Sequence, residues 1–170
     1  TKRPPDHTSN GVTLAVDGWL YLAIGDFGFM EAKGTDGRTL QLHAGGVVRV
    51  RPDGRELEGF ATGARNIYEV AVDPWLNVFA RDNTNAGGGW DIKVHAFFHG
   101  ADVGYPRLFS TFADETMPSL GVYGGGSGTG ATYIQEPAVP APFGDMLYTA
   151  DWGRNAIYYH PVKGEKGAWF

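Results

Sequence analysis

The sequence predicts an all-β protein and, within that class, a β-propeller. Gly accounts for 26 and Pro for 10 of the 170 residues. Both are spread along the chain, which is typical of many short strands joined by turns rather than of long helices. The chain also repeats itself, with three or four strands and no helix in each copy, and repeats of this kind predict propeller blades. Three copies can be traced, so we expect about three four-stranded blades.

The first blade is predicted over residues 11–62. Its first two strands are joined by Asp17-Gly18, a strong hairpin signal. A polar excursion over residues 30–44 separates this hairpin from an alternating apolar and polar run that ends in the turn Pro52-Asp53-Gly54. The predicted strands of this copy are residues 12–17, 19–26, 46–51 and 58–62.

The second blade is predicted over residues 63–109 and a weaker third copy over residues 130–170, with a loop-rich insertion at 110–129. The segment AVDGWLYLAIGD lines up with AVDPWLNVFARD, so that Val16 and Val72 are equivalent, 56 residues apart. The second strand of each copy ends on an acid, and an acid that recurs once per blade predicts a cap for a strand-end turn. These acids are Asp26, Asp82 and Asp151.

Three copies amount to half a ring, because closed propellers usually have four to eight blades. Half a ring leaves two apolar sheet faces open to water. We therefore expect the remaining blades to come from a longer chain or from self-assembly into an oligomer.

Composition excludes several classes of function. The formal net charge is −5 and no run of Lys or Arg reaches four residues, which disfavours nucleic acid and anionic membranes as partners. The sequence contains no cysteine, which excludes disulfides and thiol catalysis. No apolar run approaches the roughly 20 residues of a membrane-spanning helix, so direct membrane insertion is not expected.

A candidate site follows from the propeller prediction. Loops at one end of all blades converge on the central channel, so residues far apart in sequence meet there. The organising stretch is residues 61–91, which opens with an arginine before a strand pair and closes on a polar, glycine-rich loop at 82–89. The candidate residues are His7, Arg65, Asn66, Asn83, Thr84, Asn85, Asp91 and Arg154.

Each candidate also has a purely structural interpretation. His7 lies in a polar turn, where a histidine is usually solvated. Arg65 could cap a blade by bonding to loop carbonyls. The loop at 82–89 is rich in Asn, Asp and Gly, which sharp turns require.

Five segments resemble, in order, a known enzyme family. They are DHTSNGVTLAVDGWLYLAIGDFG, GGVVRVRPDG, ATGARNIYEVAVDPWLNVFARDN, GADVGYPRLF and DWGRNAIYYHPV. Together they are similar to soluble quinoprotein sugar dehydrogenases, the glucose/sorbosone dehydrogenase family, and in particular to a planctomycete-type membrane-bound dehydrogenase subgroup. The resemblance implies half of a six-bladed propeller that binds pyrroloquinoline quinone (PQQ) and calcium, oxidises a sugar or related alcohol, and is periplasmic or extracellular.

The resemblance also implies roles for individual residues. His7 matches the general base that takes a proton from the sugar hydroxyl, a task that suits the ordinary imidazole pKa of about 6.5. Arg65 matches a catalytic arginine that lies against the quinone. The other implied contacts are Asn66, Asn83 and Arg154 to the cofactor, the backbone carbonyls of Thr84 and Asn85 to calcium, and Asp91 to the substrate.

The sequence departs from the family at several of these positions. Ile67 and Glu69 replace a Pro and a Gly, and Asn-Thr-Asn at 83–85 replaces Gln-Gly-Pro in the calcium loop. These departures favour an alternative hypothesis, in which the propeller has no catalytic role and binds a carbohydrate or protein partner.

Overall fold

The computed structural model describes residues 5–85, 90–108, 112–165 and 168–169. Within these residues there is no α-helix, only two short 3-10 turns at Pro5–His7 and Ala113–Glu115. No helix capable of spanning a membrane occurs among the described residues. The strands are β1 (Ser9–Leu14), β2 (Leu20–Ile24), β3 (Phe29–Lys33), β4 (Thr39–Leu42), β5 (Gly45–Val50), β6 (Glu58–Ala64), β7 (Ala71–Val72), β8 (Val78–Asn85), β9 (Trp90–Phe97), β10 (Gly121–Val122), β11 (Gly128–Gln135), β12 (Asp145–Asp151), β13 (Ala156–His160), β14 (Gly164–Glu165) and β15 (Ala168–Trp169).

Three antiparallel sheets follow one another along the chain, and they confirm the all-β prediction. The first has the order β1-β2-β5-β6, the second β10-β9-β8-β7, and the third β11-β12-β13. Two small hairpins, β3-β4 and β14-β15, complete the structure. The segment predicted as an insertion at 110–129 contains β10, which pairs with β9 and gives the second sheet its fourth strand.

The hairpins that open the first two sheets share a turn, as the sequence repeat predicts. Asp17 Oδ1 accepts a hydrogen bond from the Trp19 N–H at 3.1 Å. Asp73 Oδ1 accepts one from the Trp75 N–H at 2.9 Å. The two tryptophans nevertheless differ, because Trp19 is buried against the first core and Trp75 is exposed.

The sheets stack face to face through two apolar clusters. The first cluster lies between the first and second sheets and includes Tyr21, Val47 and Val78. The second lies between the second and third sheets and includes Phe79 and Leu147. These side chains are almost fully removed from water, so burial of apolar area holds the sheets together.

The first strands of the first and third sheets, β1 and β11, also make polar contacts with the segment just before β7. The Gly11 N–H donates to the Tyr68 carbonyl at 2.6 Å, and Thr13 Oγ1 donates to the Val70 carbonyl at 2.7 Å. The Ala131 N–H of β11 donates to Glu69 Oε2 at 3.3 Å. The segment at 67–70 therefore lies between β1 and β11, and the first strands of the three sheets converge.

The hairpin β3-β4 lies on the face of the first sheet that points away from the second. Leu42 packs with Ile24 and Val48 of that face, and Phe29 and Leu40 pack against the same cluster. The predicted polar excursion at 30–44 thus covers part of an otherwise open apolar face.

The two end sheets nevertheless leave apolar side chains in water. Val12 and Leu14 of β1 are exposed, and so are Ile157 and Tyr159 of β13. Exposed apolar groups on both end sheets are expected of an arc whose ends are not closed.

A buried ion pair joins the second and third sheets. Arg81 Nη2 lies 2.8 Å from Asp151 Oδ2, and the two side chains are 1% and 0% exposed. Burial by itself raises the pKa of Asp151, but hydrogen bonds from the Ser127 N–H, the Arg81 guanidinium and the Arg154 N–H outweigh it and hold that pKa below its ordinary value. The charged form of Asp151 is therefore the one that the fold stabilises.

We expect Asp151→Asn to lower the free energy of unfolding by about 3–5 kcal/mol, because the Arg81 charge is then buried without a partner. Urea unfolding followed by tryptophan fluorescence measures the loss. The matched control is Glu31→Gln, which breaks the exposed pair with Lys33 and should cost less than about 1 kcal/mol. Equal effects of the two substitutions would show that the Arg81–Asp151 pair does not join the sheets.

His160 provides a pH-dependent contribution next to this pair. Its Nε2 lies 2.8 Å from Thr149 Oγ1 and its Nδ1 lies 3.1 Å from the Tyr123 hydroxyl. Burial, and second the charge of Arg81, lower the pKa of His160 to about 4. The folded protein therefore holds this imidazole neutral at pH values where the unfolded chain, with a pKa of about 6.5, takes up a proton.

The contribution of His160 to stability should be fully present above pH 6.5 and should be lost as the pH falls from about 6.5 to about 4. Urea unfolding of the parent protein and of His160→Gln at a series of pH values tests this. We expect a shallower decline with acidification in the variant. Parallel curves for the two proteins over this range would be incompatible with a depressed His160 pKa.

Candidate functional site

The site begins where the N-terminal 3-10 turn meets the end of β2. His7 Nδ1 lies 2.5 Å from Asp26 Oδ1, and the two side chains are only 18% and 13% exposed. The backbone fixes this approach, because the Gly25 N–H donates to the Thr8 carbonyl at 2.7 Å and the Phe27 N–H to the His7 carbonyl at 3.1 Å. A Cβ atom at Gly25 would lie 2.5 Å from the His7 carbonyl carbon, so only glycine permits this contact.

The second oxygen of Asp26 faces two more polar side chains. The Tyr105 hydroxyl donates to Asp26 Oδ2 at 3.3 Å, and Arg65 Nε lies 3.9 Å from the same oxygen. Burial, and second the charge of Asp26, raise the pKa of Tyr105, so the phenol keeps its proton and acts as a donor. Asp26 thus lies at the centre of a cluster with His7, Arg65 and Tyr105.

Arg65 and Asn66 are held by a carboxylate of the second sheet. Asp82 accepts hydrogen bonds from the Arg65 N–H at 3.0 Å and from the Asn66 N–H at 2.8 Å. Its side chain is fully buried, and His95 Nε2 lies 3.6 Å away. Asp82 therefore fixes the backbone that presents the Arg65 guanidinium, which also donates to the Asn83 carbonyl at 3.3 Å.

The side-chain amides of Asn66 and Asn83 lie next to this cluster, and each has a hydrogen-bond acceptor that is not used. The Oδ1 atoms of both are buried and have no hydrogen-bond partner among the described residues. A buried polar atom without a partner is costly in a folded protein. These two atoms therefore mark a place where a bound group could supply the missing donors.

Thr84, Asn85 and Asp91 lie at the paired ends of β8 and β9. β8 extends to Asn85, into the loop predicted at 82–89, because Thr84 pairs with Asp91 and Asn85 with Trp90. Thr84 Oγ1 donates to the Asp91 carbonyl at 2.9 Å, which fastens this end of the hairpin. The remainder of the predicted loop, residues 86–89, lies outside the described residues.

Arg154 lies in the turn between β12 and β13, with its side chain exposed. Its backbone N–H donates to Asp151 Oδ1 at 3.1 Å, and its guanidinium donates to the Gly125 carbonyl. These contacts tie Arg154 to the third sheet and to the segment after β10. They do not join it to the cluster around Asp26.

A family model described as a domain of unknown function, DUF7133, matches residues 1–116. The chain belongs to the DUF7133 family. Among solved structures, it resembles the PQQ-bound form of aldose sugar dehydrogenase from Streptomyces coelicolor, with a TM-score of 0.67 and 18% identity. That similarity covers 92% of this chain and 46% of the other, so the chain spans less than half of that enzyme. Among curated proteins, none matches the sequence.

These comparisons confirm the predicted fold of this DUF7133 protein. A match over nearly the whole chain to a PQQ-bound sugar dehydrogenase shows that the three stacked sheets are blades of a β-propeller. At 18% identity the likeness extends to the fold alone. The roles predicted for individual residues remain predictions.

The residues around Arg65 fit a quinone that carries carboxylates. Arg65 is a cation that is only 10% exposed, and a guanidinium pairs well with a carboxylate or a carbonyl oxygen. Asn66 and Asn83 each offer an amide that can donate through Nδ2 and accept through the unpartnered Oδ1. The buried, unpartnered oxygens are the observation that favours a bound polar group.

The residues predicted to hold calcium fit less well. Successive carbonyls of an extended strand point to opposite sides, so the Thr84 and Asn85 carbonyls of β8 do not converge on one ion. Among the described residues, no group of three or more His, Asp or Glu side chains could hold a metal ion. Calcium ligands at a loop require converging oxygens, and these two carbonyls do not supply them.

Sequence reasoning missed the roles of Asp26, Tyr105 and Asp82. The two aspartates occupy equivalent positions of the repeat, and this recurrence was the only available sign. It predicted turn caps for both. In the structure Asp26 pairs with a histidine, and Asp82 accepts backbone hydrogen bonds from the segment that links the first and second sheets. Tyr105 is 79 residues from Asp26, and nothing local in the sequence joins them.

We expect Asp82→Asn to loosen the backbone at Arg65 and Asn66, since the amide can accept one N–H but presents its own NH2 group to the other. Leaving a buried N–H without a partner costs about 1–3 kcal/mol. Hydrogen exchange of the Arg65 and Asn66 amides, measured by NMR, should accelerate while amides of β12 stay protected. The control is Asp114→Asn, at an exposed carboxylate, and an unchanged exchange rate in Asp82→Asn would contradict the role given to Asp82.

Proposed function

We propose that this chain carries the proton-accepting half of the active site of a quinoprotein dehydrogenase that oxidises a sugar or related alcohol. The observation that supports this most is the His7–Asp26 pair, whose carboxylate is shared with Arg65 and Tyr105. The supporting comparison is a fold in common with a PQQ-bound aldose sugar dehydrogenase.

The pair prepares His7 to act as a base. An ionised carboxylate can only accept hydrogen bonds, so His7 Nδ1 must carry the proton that Asp26 receives. The lone pair of the neutral ring is then on Nε2, and that atom can accept a proton from a substrate hydroxyl. Asp26 would also stabilise the imidazolium formed by that transfer, since the new positive charge arises 2.5 Å from its oxygen at Nδ1.

Arg65 and Tyr105 keep Asp26 in place for this task. Each approaches Asp26 Oδ2, which leaves Oδ1 for His7. Arg65, together with the amides of Asn66 and Asn83, would hold the polar edge of the quinone. When bound, PQQ would accept the hydride that leaves the carbinol carbon as the hydroxyl loses its proton.

The PQQ-loaded protein should lose about 10²–10⁴-fold in sugar oxidation on His7→Ala, which is the usual contribution of general base catalysis. Dye reduction measures the rate, and PQQ binding followed by absorbance titration should be unchanged. Asp26→Asn should lower kcat while also leaving PQQ bound. His99→Ala, an exposed histidine next to Glu58, is the control, and full turnover in the His7→Ala protein would refute the assignment.

The alternative function, a propeller that binds a carbohydrate or protein without chemistry, is favoured by one observation. The Thr84 and Asn85 carbonyls are successive carbonyls of the extended strand β8 and do not converge on one ion. This alternative requires that the protein take up no PQQ in the absorbance titration. Saturable PQQ uptake that depends on Arg65 would eliminate it.

A further inference from the structure

A cavity of about 500 Å³ adjoins the candidate site and has no role in the function proposed so far. Its walls come from the end of β4 and the following residues, from β6, and from the segment after β9. Tyr105 lines this cavity, and the hydroxyl of the same residue donates to Asp26. The cavity and the His7–Asp26 pair therefore share one side chain as a common wall.

One wall of the cavity is fixed by a dense set of hydrogen bonds. Asp102 accepts from the Gly104 N–H at 2.7 Å and from Thr62 Oγ1 at 3.1 Å. The Tyr105 N–H donates to the Gly63 carbonyl at 2.8 Å. Gly63 has a φ of +83°, and a Cβ there would lie 2.2 Å from Asp102 Oδ1, so glycine is required. The wall is therefore preformed rather than assembled around a ligand.

The charge of the cavity argues against an ionic ligand. Asp102 and Arg107 are the charged residues of its lining, and Arg107 Nη2 lies 3.9 Å from Asp102 Oδ2. The two formal charges offset each other. A phosphate or carboxylate would need an excess of positive charge, which this lining does not have.

The remaining lining suits a neutral ligand rich in hydroxyl groups. Thr62, Gln41 and His43 add a hydroxyl, an amide and an imidazole, which together can both donate and accept hydrogen bonds. Leu42 and Pro106 add apolar surface, which the C–H faces of a sugar ring can contact. The volume lies within the range of about 300–1,000 Å³ that is usual for small-ligand pockets.

We propose that this cavity binds a sugar ring next to the one presented to His7, so that the substrate is an oligosaccharide of at least two residues. The part of this proposal that concerns oxidation rests on the function proposed above. The binding of a neutral sugar in the cavity does not, because it depends on the walls around Asp102 and Tyr105 alone.

The test compares cellobiose and maltose with glucose and glucose 6-phosphate, first by calorimetric titration. Ala44→Phe places a phenyl ring in the cavity, and Thr62→Val removes the Thr62 hydroxyl together with its hydrogen bond to Asp102. We expect Ala44→Phe to weaken disaccharide binding at least tenfold and Thr62→Val to weaken it to a smaller extent. The matched control is Val162→Phe, which fills a separate cavity of about 310 Å³ beside His160 and should leave disaccharide binding unchanged.

In the PQQ-loaded protein, Ala44→Phe should raise KM for the disaccharides and leave kcat and glucose oxidation unaltered. Disaccharide binding by a folded Ala44→Phe protein at the parent affinity, or tighter binding of glucose 6-phosphate than of the disaccharides, would overturn the proposal. Loss of binding in a protein that oxidises no sugar supports the cavity and rejects the dehydrogenase. Oxidation of disaccharides with unchanged KM in Ala44→Phe supports the dehydrogenase and rejects the cavity.

Discussion

Three carboxylates at equivalent positions of the sequence repeat hold this arc of sheets in register. Each of them needs an ion-pair or hydrogen-bond partner from a different part of the chain. A carboxylate removed from water is costly unless it is paired or accepts hydrogen bonds. Asp82 is satisfied by two backbone N–H groups of the segment that links the first and second sheets, and Asp151 by Arg81 of the second sheet. Asp26 is satisfied by His7 and Tyr105, with Arg65 close by. Because each acid draws at least one partner from outside its own strand pair, the apolar faces cannot slide without exposing an unpaired charge.

The same repeated position therefore has two structural uses and, at Asp26, one proposed chemical use. Asp82 accepts its hydrogen bonds from backbone amides, with His95 Nε2 3.6 Å away, and Asp151 accepts from a guanidinium and from backbone amides. None of these hydrogen-bond donors can accept a proton. Asp26 differs, because the group at hydrogen-bond distance from its Oδ1 is the ring of His7, and histidine is the side chain most often used as a general base. This difference in partner, rather than any difference in the acids, separates the candidate site from the two structural positions.

The sequence was sufficient for the fold because the fold is repetitive. Matching acids, matching Asx turns at Asp17 and Asp73, and alternating apolar residues all predicted strands and blades that the structure contains. It was less informative about strand ends. β8 extends to Asn85, into the loop predicted at 82–89, because pairing with β9 overrides the turn preference of an Asn-Thr-Asn run. It was silent about contacts such as Tyr105 with Asp26, since a hydrogen bond between residues 79 positions apart leaves no local pattern.

The location of the cavity follows from the same constraint. Asp26 has two carboxylate oxygens, and His7 occupies only one of them, so the other must be satisfied by a group from a different part of the chain. That group is Tyr105, and the segment that brings Tyr105 to Asp26 is the one whose hydrogen bonds to β6 form the cavity wall at Gly63 and Asp102. The cavity and the proposed base thus share a single side chain, because Tyr105 lines the cavity and its hydroxyl donates to Asp26.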